Sequence, residues 1–288
     1  MGAIFRKAST VILLRDPFEV LLMKRTSRDS FMAEASVFPG GALDEHDADD
    51  ALCVFCGGFD GKKAKALLKF HDMDEKTAFS LFFAAIRELY EESSILLAKK
   101  STGEKLFISG ESERKRFRQY RKAVFEKKLT LAGLAKLEGL VYTPEALAPF
   151  AHWITPKFSK KRYDTWFFLA RLPQGQEAAC DGNELTSAEW MTPQKAREMN
   201  TAREILLMPP TVMTLWELSS FKTIDDLFDH AAIKNIETIM PEPFAESTSA
   251  GVKLPTDAHY SDTALKLTKR PGEPTRVIME NGFWSLLF

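Results

Sequence analysis

The sequence predicts a mixed α/β fold carrying a helical insertion. Three features of its 288 residues lead there. Short β-branched and aliphatic runs are bounded by turn residues, amphipathic helical stretches alternate with them, and an irregular tract at residues 42–76 separates an early strand from the strongest helix.

Residues 8–15 and 20–25 are aliphatic and β-branched, and Asp16-Pro17-Phe18 between them supplies a turn, which predicts a β-hairpin. Residues 26–36 are polar and irregular, a connecting loop. Val37-Phe38-Pro39-Gly40-Gly41 reads as a short strand running into a backbone-exposed loop. Within 42–76, Asp44, Asp47, Asp49 and Asp50 suit the start of a short helix that Gly57-Gly58 ends, and residues 61–70 suit a second. Phe79, Phe82, Phe83, Ile86, Leu89 and Tyr90 recur every three to four residues, predicting an amphipathic helix over 75–93. Helices are expected near 111–128 and 131–137, then strands at 140–142, 151–154, 165–170 and 187–191. Helices at 193–199, 209–221 and 224–233, a loop-rich tail over 241–274 and a late strand at 276–280 complete the chain. The expectation is one domain, 1–288, with residues 193–288 a helical extension and tail packed on it.

A net charge of −1 argues against a partner held through phosphate backbones, so no nucleic acid is expected. The longest strongly apolar run, Leu81-Phe82-Phe83-Ala84-Ala85-Ile86, is far short of the roughly 20 residues of a membrane span. Three cysteines fit a reducing cytoplasm better than a disulfide framework. Cys53-x-x-Cys56, with His46 and His71 nearby, lacks the second pair of a zinc site and reads as a helix end. His152 reads as a satisfied core histidine.

The chemistry concentrates in Arg87-Glu88-Leu89-Tyr90-Glu91-Glu92. Taking Glu88 as zero, Glu91 lies at about −60° and Glu92 at about +40° around a helix. Such carboxylates sit roughly 6 Å apart and repel by about 3 kcal/mol per pair at an effective dielectric near 20. A solvated acidic face would tolerate that, but the preceding turns are apolar, so this helix is expected to be buried. A divalent cation, which prefers oxygen ligands, removes the penalty. Arg87, four residues before Glu91, can pair with it and orient it.

Gly41 followed by Arg87-Glu88-Leu89-Tyr90-Glu91-Glu92-Ser93-Ser94-Ile95 resembles the Nudix box, G-x5-E-x7-R-E-U-x-E-E-x-G-U. Two departures stand out. Ser94 replaces the late glycine, which suggests a somewhat different helix exit. Gly41 and Arg87 lie 46 positions apart where the box has 14, so about 32 residues are inserted. Asp47 falls where the first Glu of the box would be. Leu21-Leu22-x-x-Arg25 and Phe38-Pro39-Gly40-Gly41 resemble the signature LLTxR(S/A)x3Rx3Gx3FPGG of coenzyme A diphosphatases, with Met23, Thr26, Ser30 and Glu34 at four changed positions. Trp153-Ile154-Thr155-Pro156, residues 161–168 and the long insertion are similar to the branch of peroxisomal coenzyme A diphosphatases and their bacterial relatives.

The resemblance implies a Nudix-type α/β/α sandwich with a mixed β-sheet and a helical insertion. It implies Mg²⁺ or Mn²⁺ held by Glu88, Glu91 and Glu92 with the Gly40 carbonyl, Arg87 as an orienter, and hydrolysis of a nucleoside diphosphate linked to another moiety. The favoured substrate is coenzyme A or acyl-coenzyme A, giving adenosine 3′,5′-bisphosphate and (acyl-)phosphopantetheine. Glu184 is the candidate further catalytic carboxylate, with Glu189 second. Arg25, Arg28, Phe38 and Gly41 are the candidate substrate-binding residues, Lys157, Lys160, Lys161 and Arg162 a second basic source, and Trp153 or Tyr163 candidates for stacking on adenine. An ADP-ribose or nucleotide-sugar diphosphatase is the alternative enzyme, and a non-catalytic Nudix-fold ligand-binding module the alternative of another class. The C-terminal Ser285-Leu286-Leu287-Phe288 is not a Ser-Lys-Leu address, so a bacterial cytoplasm is expected; a homodimer is compatible with all of this.

Overall fold

In chain order the strands are β1 (Arg6–Arg15), β2 (Glu19–Arg25), β3 (Ala35–Val37), β4 (Gly40–Ala42), β5 (Ala98–Lys100), β6 (Leu140–Tyr142), β7 (Ala148–Ile154), β8 (Tyr163–Arg171), β9 (Leu185–Met191), β10 (Leu206–Leu207), β11 (Thr238–Ile239), β12 (Glu242–Ala245), β13 (Ala250–Lys253), β14 (Arg276–Glu280) and β15 (Phe283–Leu287). The helices are α1 (Gly61–Leu68), α2 (Glu75–Ser93), α3 (Glu111–Phe125), α4 (Leu131–Glu138), α5 (Pro193–Thr201), α6 (Pro209–Leu218) and α7 (Ile224–Ile233). The computed structural model describes residues 5–26, 34–157, 159, 161–180, 185–246 and 249–288.

Among the described residues the main sheet has nine strands, in the order β10-β3-β2-β1-β8-β7-β11, with β4 also paired to β1 and β9 to β2. It is mixed: β1 runs antiparallel to β2 and parallel to β8. The central strand explains itself from its sequence. Val11 and Leu13 point into one apolar cluster, Ile12 and Leu14 into the other, and all four are fully buried. A strand covered on both faces reads as a continuous aliphatic run, as β1 does. Helix α2 packs on the first face, while α5, α6 and α7 pack on the second. That is an α/β/α sandwich.

Asp74 caps α2 by accepting the Thr77 amide at 2.8 Å, a contribution of about 1 kcal/mol. The helix then buries Phe79, Phe82, Phe83, Ile86, Leu89 and Tyr90, the residues whose spacing predicts it. Phe82 sits 5.0 Å from the Phe59 ring and 4.9 Å from Phe168, so α2 is locked between the insertion and β8. At its exit Ser94 takes the left-handed conformation with φ 67°, the exit a glycine would make. Arg121 donates to the Ser94 hydroxyl and, at 2.9 Å, to the Ala179 carbonyl, which accounts for a side chain where glycine is easier.

Two expectations are corrected. The tract at 42–60 forms two 3₁₀ turns, Glu45–Ala48 and Asp50–Phe55, rather than one short helix. The tail contains strands: β12-β13-β14-β15 make a separate antiparallel sheet, and Val252 and Val277 carry it onto the second apolar cluster. No helix among the described residues is long and apolar enough to cross a membrane.

Candidate active site

The last two turns of α2 place Leu89, Tyr90 and Ser93 in the core and present Arg87, Glu88, Glu91 and Glu92 along the opposite, half-buried arc. Strand β4 supplies the other side. The register Ser9↔Gly41, flanked by Val11 N–H to the Pro39 carbonyl and Leu43 N–H to the Lys7 carbonyl, makes Gly41 the hydrogen-bonded position. Gly40 therefore turns its amide and carbonyl away from β1. The Gly40 amide donates to Glu92 Oε2 at 2.7 Å. A Cβ on Gly40 would lie 2.5 Å from the Ser9 carbonyl oxygen, and one on Gly41 would lie 2.5 Å from Glu88 Oε1. Both glycines are needed for close approach, the second because the Glu88 carboxylate fills the space.

Arg87 organises the acids. Its Nε and Nη2 bind the two oxygens of Asp47 at 2.8 and 2.9 Å, Nη2 also reaches the Ala42 carbonyl at 2.9 Å, and Nη1 donates to Glu88 at 2.8 Å and Glu91 at 3.4 Å. Asp47 is 1% exposed. It is held there because the first 3₁₀ turn closes a reciprocal cap: Asp44 accepts the His46 amide, and the Asp44 amide donates to Asp47 at 2.7 Å. Burial opposes the charge of Arg87, but the Asp47 hydrogen bond and the surrounding carboxylates win and raise its affinity for its proton. Burial pushes Glu91 up to about 7, with Arg87 pulling it down and the Glu88 and Asp47 charges pushing it further up. Among the described residues, three carboxylates thus meet one guanidinium, with Glu92 held beside them by the Gly40 amide.

The remaining predicted residues distribute unevenly. Arg28 and Glu184 lie outside the described residues. Arg25 ends β2 opposite Leu185 of β9. The Phe38 ring is buried in the cluster with Ile12, Leu14 and Phe150, on the face of the sheet away from α2. Trp153 is buried in that same cluster. Glu189 is exposed, Lys157 pairs with Asp262 at 3.2 Å, and Arg162 lies 3.9 Å over the Phe5 ring. His152 is the satisfied core residue expected, within 2.9 Å of Thr238 and 2.7 Å of Asp164. The Cys56 thiol donates to the Phe59 carbonyl at 2.9 Å, and all three cysteines are free.

A model of the family described as the NUDT19 Nudix domain matches residues 5–218. The chain belongs to the NUDT19 Nudix family. The acyl-coenzyme A diphosphatase NUDT19 of Xenopus laevis is 28% identical over 246 residues, 76% of this chain and 64% of that protein. The human acyl-coenzyme A diphosphatase NUDT19 is 27% identical, with 92% of this chain and 79% of that protein covered. This chain therefore spans just under two thirds of the length of the frog relative. The crystal structure of a NUDIX hydrolase from Alicyclobacillus acidocaldarius superposes with a TM-score of 0.63 at 22% identity, covering 80% of this chain and 97% of that one, so the Nudix fold is shared.

Within the Nudix box the informative residue is Asp47. It lies six positions on from Gly41, and although the insertion separates it from Arg87 in sequence, the structure puts it on Arg87. Sequence reading missed the wall facing these residues, made by the junction of α3 and α4. Its signal was the charge imbalance of 111–128, where eight Lys and Arg stand against three Glu.

Proposed function

We propose that this chain is a divalent-cation-dependent diphosphatase that cleaves coenzyme A or acyl-coenzyme A into adenosine 3′,5′-bisphosphate and (acyl-)phosphopantetheine. The observation that carries this is the cluster of Asp47, Glu88 and Glu91 around one arginine, with Glu92 on the Gly40 amide beside them, at the end of a buried Nudix helix. The frog and human relatives, both named acyl-coenzyme A diphosphatases, support the choice of substrate.

The donor set fits a hard cation such as Mg²⁺ or Mn²⁺. As the side chains stand, no group of three or more His, Cys, Asp or Glu among the described residues is already gathered for a metal. Glu92 gives one oxygen to Gly40 and Glu88 one to Arg87. A carboxylate has two oxygens and about four acceptor sites, so each keeps capacity for a cation. Carboxylate oxygens are the donors that hard divalent cations prefer. Glu88, Glu91 and Glu92, with the Gly40 carbonyl, would hold it. When bound, it supplies charge neutralisation for the phosphates and acidifies the attacking water. Arg87 fixes the Glu88 and Glu91 carboxylates from behind, Asp47 fixes Arg87, and Gly41 leaves Glu88 its room. Glu184, Arg25 and Arg28 stay in the proposal as a further carboxylate and two phosphate contacts. The proposal takes 1–288 as one domain, with 42–76 its insertion and 193–288 its extension, working in a reducing cytoplasm, as three free thiols favour.

Incubation with free coenzyme A and either Mn²⁺ or Mg²⁺ should release adenosine 3′,5′-bisphosphate. No bisphosphate with either metal overturns the substrate, and AMP from ADP-ribose in its place would hand the site to a different diphosphate. A second expected result concerns Gly41→Ala. The added methyl displaces the far end of Glu88 and not backbone, so stability should fall by only about 1–3 kcal/mol in urea unfolding. Turnover should fall more than tenfold, because the displaced group is a proposed ligand. Full activity would remove Glu88 from the site.

A further inference from the structure

The cleft beside Arg87 and Glu91 has a second wall that the reaction above does not use. Residues 124–131 form it, with Phe125, Lys127 and Leu129 facing Asp44, Asp47 and Glu91. The wall is firmly built: the amides of Lys127, Lys128 and Leu129 fold back onto the carbonyls of Val124 and Ala123 at 2.8–3.1 Å, and Thr130 caps α4. Two residues of it bear on the cleft. Phe125 leaves 41% of its surface exposed beside a polar cluster. Lys127 is the left-handed residue that closes the end of α3, φ 56°, its amide and that of Lys128 bonding back to the Val124 and Ala123 carbonyls. From there its ammonium crosses the cleft to pair with Asp44.

We propose that this wall is the substrate-recognition surface: Lys127 exchanges Asp44 for a phosphate of the ligand, and Phe125 with Leu129 receives the apolar chain attached to it. The inference rests on the function proposed above for where the diphosphate lies. An exposed lysine–aspartate pair is worth little in water, whereas a phosphate offers more charge and three acceptor oxygens. The side chain at position 127 is 65% exposed, so the exchange needs no rearrangement of the fold. The basic excess of α3 and the turn after it, eight cations to three acids over 111–128, raises the local concentration of a polyanion in a protein otherwise acidic. An apolar patch directly beside that ammonium suits a ligand that is anionic at one end and oily at the other.

Calorimetric binding in EDTA, with free coenzyme A and octanoyl-coenzyme A as the probes, tests this without the metal. Lys127→Ala should weaken both ligands alike by about tenfold, Lys127→Glu by more, and Lys127→Arg should restore most of the loss. Phe125→Ala should cut the preference for octanoyl-coenzyme A over coenzyme A by about fivefold or more, and the same ratio should appear in kcat/KM with Mn²⁺. A merely structural turn would lower Tm and leave both affinities, and hence their ratio, as in wild type. If the wild type cleaves coenzyme A while the Lys127 and Phe125 variants bind both probes as tightly and in the same ratio as wild type, this inference fails alone. If the wild type cleaves neither compound, it falls together with the proposed function.

Discussion

Glu91→Gln and Glu92→Gln should each lower turnover by a factor on the order of a thousand or more, while the folded protein persists. Neither change leaves a hole. Glutamine at position 92 keeps a carbonyl oxygen for the Gly40 amide that Glu92 now accepts at 2.7 Å. Glutamine at position 91 removes a charge that burial already disfavours. In the metal-free protein the Glu91 carboxyl is pushed up to about 7, so the folded chain still holds that proton at pH values where the unfolded chain has released it. The cost to folding is absent near pH 4, grows as the pH rises towards 7, and is fully present above it. Glu91→Gln should therefore be more stable than wild type in EDTA at pH 8 and no more stable at pH 4. Urea midpoints at the two values read this directly. An inactive variant that is as stable as wild type or more so separates lost chemistry from lost fold. Wild-type rates in both variants would remove the acidic arc from the reaction.

Much of this arc is legible in the sequence because one helix carries it. The capping Asp74, the three-to-four spacing from Phe79 to Tyr90, and the placement of Glu88, Glu91 and Glu92 are all local, and α2 spans the predicted residues. What was not legible depends on contacts made at long range. Asp47 and Arg87 are 40 positions apart, and only the reciprocal cap with Asp44 turns Asp47 inward. The Phe-Pro-Gly-Gly resemblance points to Phe38 as a ligand contact, yet its ring, in the link between β3 and β4, packs into the cluster covered by α6 and α7. The tail strands β12 and β13 are four residues each and only partly buried, too short and too mixed in pattern for a period of two to be seen. The α3–α4 wall had a visible charge excess, yet nothing in the sequence shows which cleft it lines.

Arg87→Met should be the most destabilising single change in the site. Among the described residues the guanidinium is the only cation bonded to Asp47, which is 1% exposed, and it also lies within 3.4 Å of Glu88 and Glu91. Methionine fills a similar volume but strands a buried carboxylate, an expected loss of about 3–5 kcal/mol at pH 7.5 in urea unfolding. Arg87→Lys should recover only part of it, because an ammonium cannot match both Asp47 oxygens and the Ala42 carbonyl at once. If the loss comes from the stranded charge, removing the charge as well should restore stability: Arg87→Met with Asp47→Leu should be more stable than Arg87→Met alone. The same pair anchors the insertion. Limited proteolysis should cut the single Arg87→Met variant near the exposed Val54, which is 77% accessible, faster than wild type, and the double variant at an intermediate rate. Activity should be absent in all of them, since Glu88 and Glu91 lose the group that orients them. A single Arg87→Met variant that loses less than about 1 kcal/mol would mean that water, and not this arginine, compensates Asp47.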